Sequence, residues 1–512
     1  MVKDISTLIT NTKYLYIAKV ITQFFGFMSS VLIIRMLKVD VFGIYSLLLQ
    51  IYIVVRIFAF SPIEQSFYRF IPEFDNSDNY YGQVSLIKYG ALFSILFVIL
   101  ILFIIFLFSD TIGFFFNIPN LQSYYCSFSL FIIFFLIKDF LTSILQSFLL
   151  QKSISYNIII NNILRFVFYV FFFDQMNIVF LLNIEIILSI VMIIPFLIIL
   201  IKWFKNKNPN YSNYNKNIKT NNRKRIIRYS ILSFGNVLGQ GVVGTTSDYF
   251  IIASGSINNF ELGLYAFANK IYQIIYRFLP FKEFYAVMRP ILVKRYDNNY
   301  KNFGLVYSFL IKVLLPVYLF PVLYFIFFGK NVINLIFTDE YVSAYLITVI
   351  LLLNMILSSW YNAMSLLINL KEKVGILLYS KITLVFSIVG GIIAMKYIGV
   401  IGVALATTLG SYLQTFIIWL FARKFNEVKN MNFNKFGNLI LVLLFISPFF
   451  IFYFVTLHFV WFVISSFFFT ITYVFLFVKF HLFTTEEMEI FNRVLEGSNI
   501  FKYVINLKNK IL

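Results

Sequence analysis

The chain has 512 residues, of which 60% are apolar and 12% charged, with a formal net charge of +20. That composition excludes an ordinary soluble globular domain, and the single cysteine, Cys126, excludes an internal disulfide framework. The positive charge does not mark a nucleic-acid binder, because it is concentrated in alternate connections between apolar runs.

The runs lie near 14–34, 42–62, 85–108, 121–149, 154–173, 177–201, 229–253, 261–288, 303–328, 342–369, 375–395, 399–421, 436–457 and 459–480. Nearly every one is long enough for a helix to cross a hydrocarbon core, which takes about 20 residues. They are too continuously apolar for barrel strands, and lipid leaves a backbone no water to bond. The expected fold is therefore an all-α polytopic membrane protein of about fourteen transmembrane helices. The first run follows Lys13, contains Lys19 and has no small-residue cleavage site, so it reads as a retained helix.

Odd-numbered connections carry few cations, such as Arg35 and Lys38. Even-numbered ones carry many: Lys202, Lys205, Arg223, Lys224, Arg225 and Arg228 after the sixth run, and Arg289, Lys294, Arg295 and Lys301 after the eighth. The positive-inside rule then places the basic connections and both termini in the cytoplasm. Residues 202–228, rich in Asn and Lys, read as a flexible linker.

An internal repeat divides the chain at that linker. Phe42-Gly43-Ile44-Tyr45 matches Leu262-Gly263-Leu264-Tyr265 at an offset of 220 residues, which also places Arg69 over Arg289. A shift of two places Pro72 over Pro290, and Leu149-Leu150-Gln151-Lys152 resembles Ile368-Asn369-Leu370-Lys371. Six helices per copy keep both copies in the same orientation, one of the known layouts of transporters. The expected organisation is an N-lobe at 1–201, a basic linker at 202–228, a C-lobe at 229–430, two added helices at 431–481 and a cytoplasmic tail at 482–512. In the tail, Thr484 and Glu487 suit a capping box ahead of an amphipathic helix carrying Ile490, Phe491, Val494 and Leu495.

No catalytic motif stands out. His458 and His481 sit at the ends of runs, and no glycine-rich phosphate loop is present. Neither an enzyme, a metal centre nor a cofactor is expected. The chemistry lies instead in ionisable groups inside the runs: Lys19, Arg56, Lys138, Asp139, Arg165, Glu185, Asp248, Lys270, Arg277 and Lys312. Such groups cost about 2.5–3.5 kcal/mol each against lipid, so they face a bundle interior or a wet cavity. Cations outnumber carboxylates among them, which suits an anionic substrate such as a pyrophosphate. Arg56, Arg165, Lys270, Arg277 and Lys312 are the candidate substrate contacts. Asp139, Glu185 and Asp248 are candidates for ion coupling or for structural pairing, for example Arg165 with Glu185.

Small residues mark close approach or bending. Gly402, Ala406 and Gly410 form a stripe for close packing in the twelfth run. Gly235, Gly239, Gly241 and Gly244 in the seventh run suit either close packing or bending, and Pro316 and Pro321, expected to kink the ninth, leave the same two roles open there.

Four stretches resemble the Wzx-type polysaccharide-export flippases of the multidrug/oligosaccharidyl-lipid/polysaccharide (MOP) exporter superfamily. They are Arg35-Met36-Leu37 through Tyr45, Asp248-Tyr249-Phe250-Ile251-Ile252 with Leu262 to Ala266, Phe337 through Ala344, and Ile398 through Thr408. The resemblance implies a fourteen-helix, two-lobe fold in a bacterial cytoplasmic membrane, moving undecaprenyl-pyrophosphate-linked repeat units for O-antigen, capsule or a related polysaccharide. A polymerase and glycosyltransferases are the partners it implies, beside the bilayer itself. On that reading a cationic cavity between lobes takes the pyrophosphate while the polyprenyl tail stays in lipid. Two competing readings are a cation-coupled drug antiporter of the same fold and a non-transporting partner of a polysaccharide polymerase.

Overall fold

A computed structural model of the protein describes residues 2–76, 79–119, 121–206, 220–241, 244–256, 258–279, 303–371, 373, 375–429, 435–455, 457–480, 482 and 484. Arg289, Pro290, Lys294, Arg295, Lys301, the centre of the basic linker and the tail from 485 lie outside the described residues. The described chain is helical throughout, without strands. In order the α-helices are α1 (Val2–Met36), α2 (Val39–Ala59), α3 (Ser61–Asn76), α4 (Tyr80–Leu107), α5 (Ser109–Phe115), α6 (Leu121–Ser147), α7 (Gln151–Phe171), α8 (Ile178–Asn206), α9 (Thr220–Gly241), α10 (Thr245–Gly255) and α11 (Asn259–Phe278). There follow α12 (Phe303–Ile336), α13 (Tyr345–Leu370), α14 (Gly375–Ser380), α15 (Ile382–Ile398), α16 (Val400–Ala422), α17 (Asn426–Lys429), α18 (Asn438–Ile446) and α19 (Phe459–Lys479).

Among the described residues, 11 helical segments are long and apolar enough to cross a membrane. The three expected runs that fall short hold α9 with α10, α11, and α18 with the 3-10 segment Ser447–Tyr453. In the first two, polar and charged residues interleave with the apolar ones. The protein is thus a multi-pass, all-helical membrane protein.

The chain divides into two compact units. The first comprises Met1–Ala266 with Met395–Val400, and the second Phe267–Ala394 with Ile401–Leu512. In the first, α1 lies along α7 and α6 along α8, pairings between helices that no short connection joins. The row Leu92, Ile95, Leu96, Ile99 and Phe103 on α4 is exposed and apolar, as a lipid-facing helix requires. The repeated glycines meet each other: a Cβ on Gly43 would lie 2.7 Å from Gly263 N, and one on Gly263 only 2.0 Å from Val39 O. The motif recurs because two backbones touch there.

The connection after α2 is not the simple loop the apolar runs imply. It is the helix α3, whose Ile63, Phe67, Phe70, Ile71 and Phe74 recur at helical spacing and are all buried. Helix α3 packs against α4, α6 and α9. The α9 contact includes Ser66 to Ser230 at 2.6 Å and a two-pronged ion pair from Arg225 to Glu73 at 2.7 and 2.9 Å. Between α9 and α10 the chain breaks at Gly244, whose φ of +153° only glycine adopts readily. Gly235 has nothing within 4 Å of its Cβ position, so close packing does not require a glycine there.

In the second unit α12 runs unbroken through Pro316 and Pro321 and packs along α13. Leu319, Phe328, Phe449, Phe469 and Tyr473 form a core joining α12 to the C-terminal helices, and Tyr473 Oη donates to Pro316 O at 2.7 Å. The small stripe of α16 meets α15 closely. Cβ positions on Gly402 and Gly410 would fall 2.7 Å from Ala394 O and 2.5 Å from Ser387 Cβ.

Candidate functional site

Helix α2 ends its last turn on Arg56, α3 opens its first on Glu64, and α6 presents Asp139 to both. Arg56 Nε donates to Asp139 Oδ2 at 2.7 Å, and its Nη2 donates to both Glu64 oxygens at 2.9 and 3.1 Å. Tyr52 Oη adds a bond to Asp139 Oδ2 at 2.8 Å, and Tyr68 Oη bridges Glu64 and Gln146 at 3.3 and 2.6 Å. Nη1 of Arg56 has no hydrogen-bond partner among the described residues, and the side chain keeps 28% exposure.

A second pair sits on α7 and α8. Arg165 Nε and Nη2 each reach Glu185 at 2.7 Å in a two-pronged bond, while Tyr169 Oη donates to the same carboxylate at 2.5 Å. Glu185 and Tyr169 are buried. A planar fork on a carboxylate out of water is the strong form of this contact. Position along the helices separates the two pairs. Asp139 lies about 12 Å from the Ser147 end of α6, and Arg165 about 21 Å from the Gln151 end of α7, at a rise of about 1.5 Å per residue. Those two ends are joined by Phe148–Leu150, so the pairs occupy successive levels of one bundle.

Lys138 belongs with them. Its ammonium lies 3.4 Å from the centre of the Phe135 ring, and it interacts electrostatically with Arg56, Asp139, Arg165 and Glu185. No carboxylate pairs with it among the described residues. Phe135 in turn stands edge-on to Tyr52 at 5.4 Å, which links the lysine to the Asp139 network. Three cations (Arg56, Lys138, Arg165) thus share this region with three carboxylates (Glu64, Asp139, Glu185). The cation excess counted from the sequence is offset here because α3 supplies Glu64.

The other candidates lie elsewhere. Asp248 is buried on α10 and accepts a hydrogen bond from Tyr265 Oη, whose ring stands edge-on to Tyr249. In the second unit, Lys270 is half-buried and Arg277 exposed on α11. Lys312 is wholly buried on α12, beside a cavity of about 540 Å³ walled by Pro316, Phe320 and Tyr473. Each of these three cations engages partners of its own. Among the described residues no three His, Cys, Asp or Glu side chains are grouped to hold a metal ion.

Glu64, Tyr52 and Tyr169 escaped the sequence reading, and Lys138 was noted there without being assigned to the site. For Glu64 a signal existed: the apolar period of α3 continues the helix past the end of the run and carries Glu64 back beside Arg56.

Residues 8–295 match the family model described as polysaccharide biosynthesis protein. The chain belongs to the polysaccharide biosynthesis protein family. Its fold is similar to that of the lipid II flippase MurJ in an inward closed conformation, with 15% identity and a TM-score of 0.68, covering 95% of this chain and 99% of that one. It is also similar to an inward-facing multidrug resistance MATE family transporter of the MOP superfamily, with 13% identity and a TM-score of 0.65, covering 78% and 94%. Comparison with curated protein sequences gave no match. The fold is thus one found in solved membrane transport proteins.

Proposed function

We propose that this member of the polysaccharide biosynthesis protein family flips undecaprenyl-pyrophosphate-linked oligosaccharide repeat units across the bacterial cytoplasmic membrane by alternating access. The observation that carries the reading is the ladder of Arg56, Lys138 and Arg165 inside apolar spans. Arg56 keeps its Nη1 edge open while two carboxylates hold the rest of the guanidinium, and Lys138 offers an ammonium seated on a ring face, without a direct carboxylate pair among the described residues. A pyrophosphate can take both without displacing a carboxylate. Lys270, Arg277 and Lys312 are proposed as further contacts along the path. The product would feed O-antigen, capsule or a related surface polymer, with polymerase and glycosyltransferases as partners.

The antiporter reading needs carboxylates open to a metal ion or a proton. Asp139 and Glu185 are instead capped by arginine and tyrosine donors, which favours the flippase.

The test is accumulation of lipid-linked repeat units on the cytoplasmic side of a deletion strain. Wild type should clear them, whereas Arg56→Ala and Lys138→Ala should not, although both reach the membrane. Arg277→Lys should keep partial export and Arg277→Gln should lose most of it. Normal clearance in the deletion strain refutes the reading. Loss of export confined to Asp139→Asn, Glu185→Gln and Asp248→Asn would shift it to cation coupling.

A further inference from the structure

At the end of the first unit opposite the Ser147–Gln151 turn, the segment from α5 to α6 is clasped to the connection between α10 and α11. Asn117 takes a left-handed φ of +52°, a conformation asparagine tolerates better than most residues. Its Nδ2 donates to Ala253 O at 3.1 Å and Ser256 O at 2.9 Å. Asn259 Nδ2 returns a bond to Asn117 O at 2.7 Å. The clasp leaves two buried acceptors, Asn259 Oδ1 and Ser256 Oγ, without partners among the described residues. Buried polar atoms of this kind are rare and call for a ligand or water.

Around the clasp lies an open cavity of about 830 Å³, lined among others by Asp40, Asp110, Asn117, Gln122, Asn259 and Phe114. A second cavity of about 650 Å³ shares Asp40, Pro119 and Asn259 and adds Asn177 and Asn183. Phe114 is 87% exposed, so its ring has no packing role in the first unit. Side-chain amides both donate and accept, and a carboxylate accepts at two oxygens, a pairing that suits adjacent hydroxyls. A bare aromatic face suits the apolar C–H face of a pyranose ring. Among the described residues no Lys or Arg lines either cavity, and two carboxylates would repel a phosphate.

We infer that this pocket is a glycan subsite, taking neutral or amino sugars of the repeat unit and excluding its pyrophosphate. It goes beyond the proposed function. The identity of the sugars rests on that function, and the placement of the pocket on the outer face rests on the topology read from the basic connections. Sugars held at this end, apart from the Arg56–Lys138–Arg165 ladder, would draw the head group outward as the pyrophosphate leaves the cations.

The probe is the free oligosaccharide repeat released by mild acid from the host's own surface polysaccharide, lacking lipid and phosphate. It is titrated against the full-length protein in lipid nanodiscs and read by saturation-transfer NMR. Wild type should show transfer to sugar C–H protons. Phe114→Leu and Gln122→Ala, both at exposed positions that leave the clasp intact, should each weaken binding about tenfold, the scale of one or two lost contacts. Phe114→Trp should retain it, and a uronic-acid oligosaccharide should bind more weakly than a neutral one. A flat wild-type titration overturns the subsite, as does binding that Phe114→Leu and Gln122→Ala leave unchanged. The flippase reading fails separately, by normal clearance of lipid-linked units in the deletion strain, an assay this titration does not touch.

Discussion

An arginine bridging two carboxylates and an arginine forked onto one respond differently to the same substitution. Removing Arg165 strands a buried Glu185, which costs about 3–5 kcal/mol, so Arg165→Ala is expected to lower the amount of folded protein as well as export. Replacing the pair by Arg165→Met with Glu185→Met removes the stranded charge. That double variant should regain wild-type levels in the membrane, measured by immunoblot and thermal shift, yet remain unable to export if Arg165 contacts substrate. Recovery of export as well would make the pair purely structural. At Arg56 the fork matters because Asp139 and Glu64 lie on different edges of the guanidinium. Arg56→Lys should therefore lose more export than Glu64→Gln, which leaves the Asp139 bond in place and frees further donors. Equal export by the two would show that the fork is irrelevant.

Among elements, the crossing of α2 and α11 tolerates the least change. Gly263→Ala puts a methyl 2.0 Å from Val39 O, where backbone must yield. We expect a loss of about 1–3 kcal/mol, the usual cost of overpacking, seen as a lower melting temperature in detergent. Gly235→Ala on α9 meets no atom within 4 Å and should be neutral or stabilising by up to about 1 kcal/mol. An unchanged melting temperature in Gly263→Ala would refute the contact. The α3–α9 clasp depends on pH. Its hydrogen bond from Arg225 holds the Glu73 carboxyl below the usual carboxylate range. A lowered folded-state pKa means the contribution is present above the unfolded value, about 4.3, and is lost as pH falls through the folded one. Hydrogen-exchange protection at the start of α9, taken relative to the intrinsic rate at each pH, should accordingly fall in acid and, at neutral pH, in Glu73→Gln.

For the whole molecule, the alternation of basic and cation-poor connections predicts which parts face the cytoplasm. In a Cys126→Ser background, a cysteine placed by Asn213→Cys should resist a membrane-impermeant maleimide in intact cells and react after permeabilisation. One placed by Gln122→Cys, beside the proposed sugar pocket, should react from outside. The reverse pattern would invert the topology and move that pocket to the cytoplasmic face.

Lipid as a solvent explains how far the sequence alone reaches. With no water to bond the backbone, length and apolarity decide that a run is a helix, so the all-helical, multi-pass architecture and the family motifs are legible residue by residue. The cost of charge in lipid likewise singles out Arg56, Lys138, Arg165 and Glu185 as interior groups. Which partner each one takes depends on the azimuth and level of neighbouring helices, and no single run encodes that. Only the tertiary structure brought Glu64 from an amphipathic connection onto Arg56, and set Lys138 against a ring instead of a carboxylate. The same holds for the Asn117–Asn259 clasp: segments 142 positions apart meet there, joined by a bond between amide groups that local sequence pattern does not record.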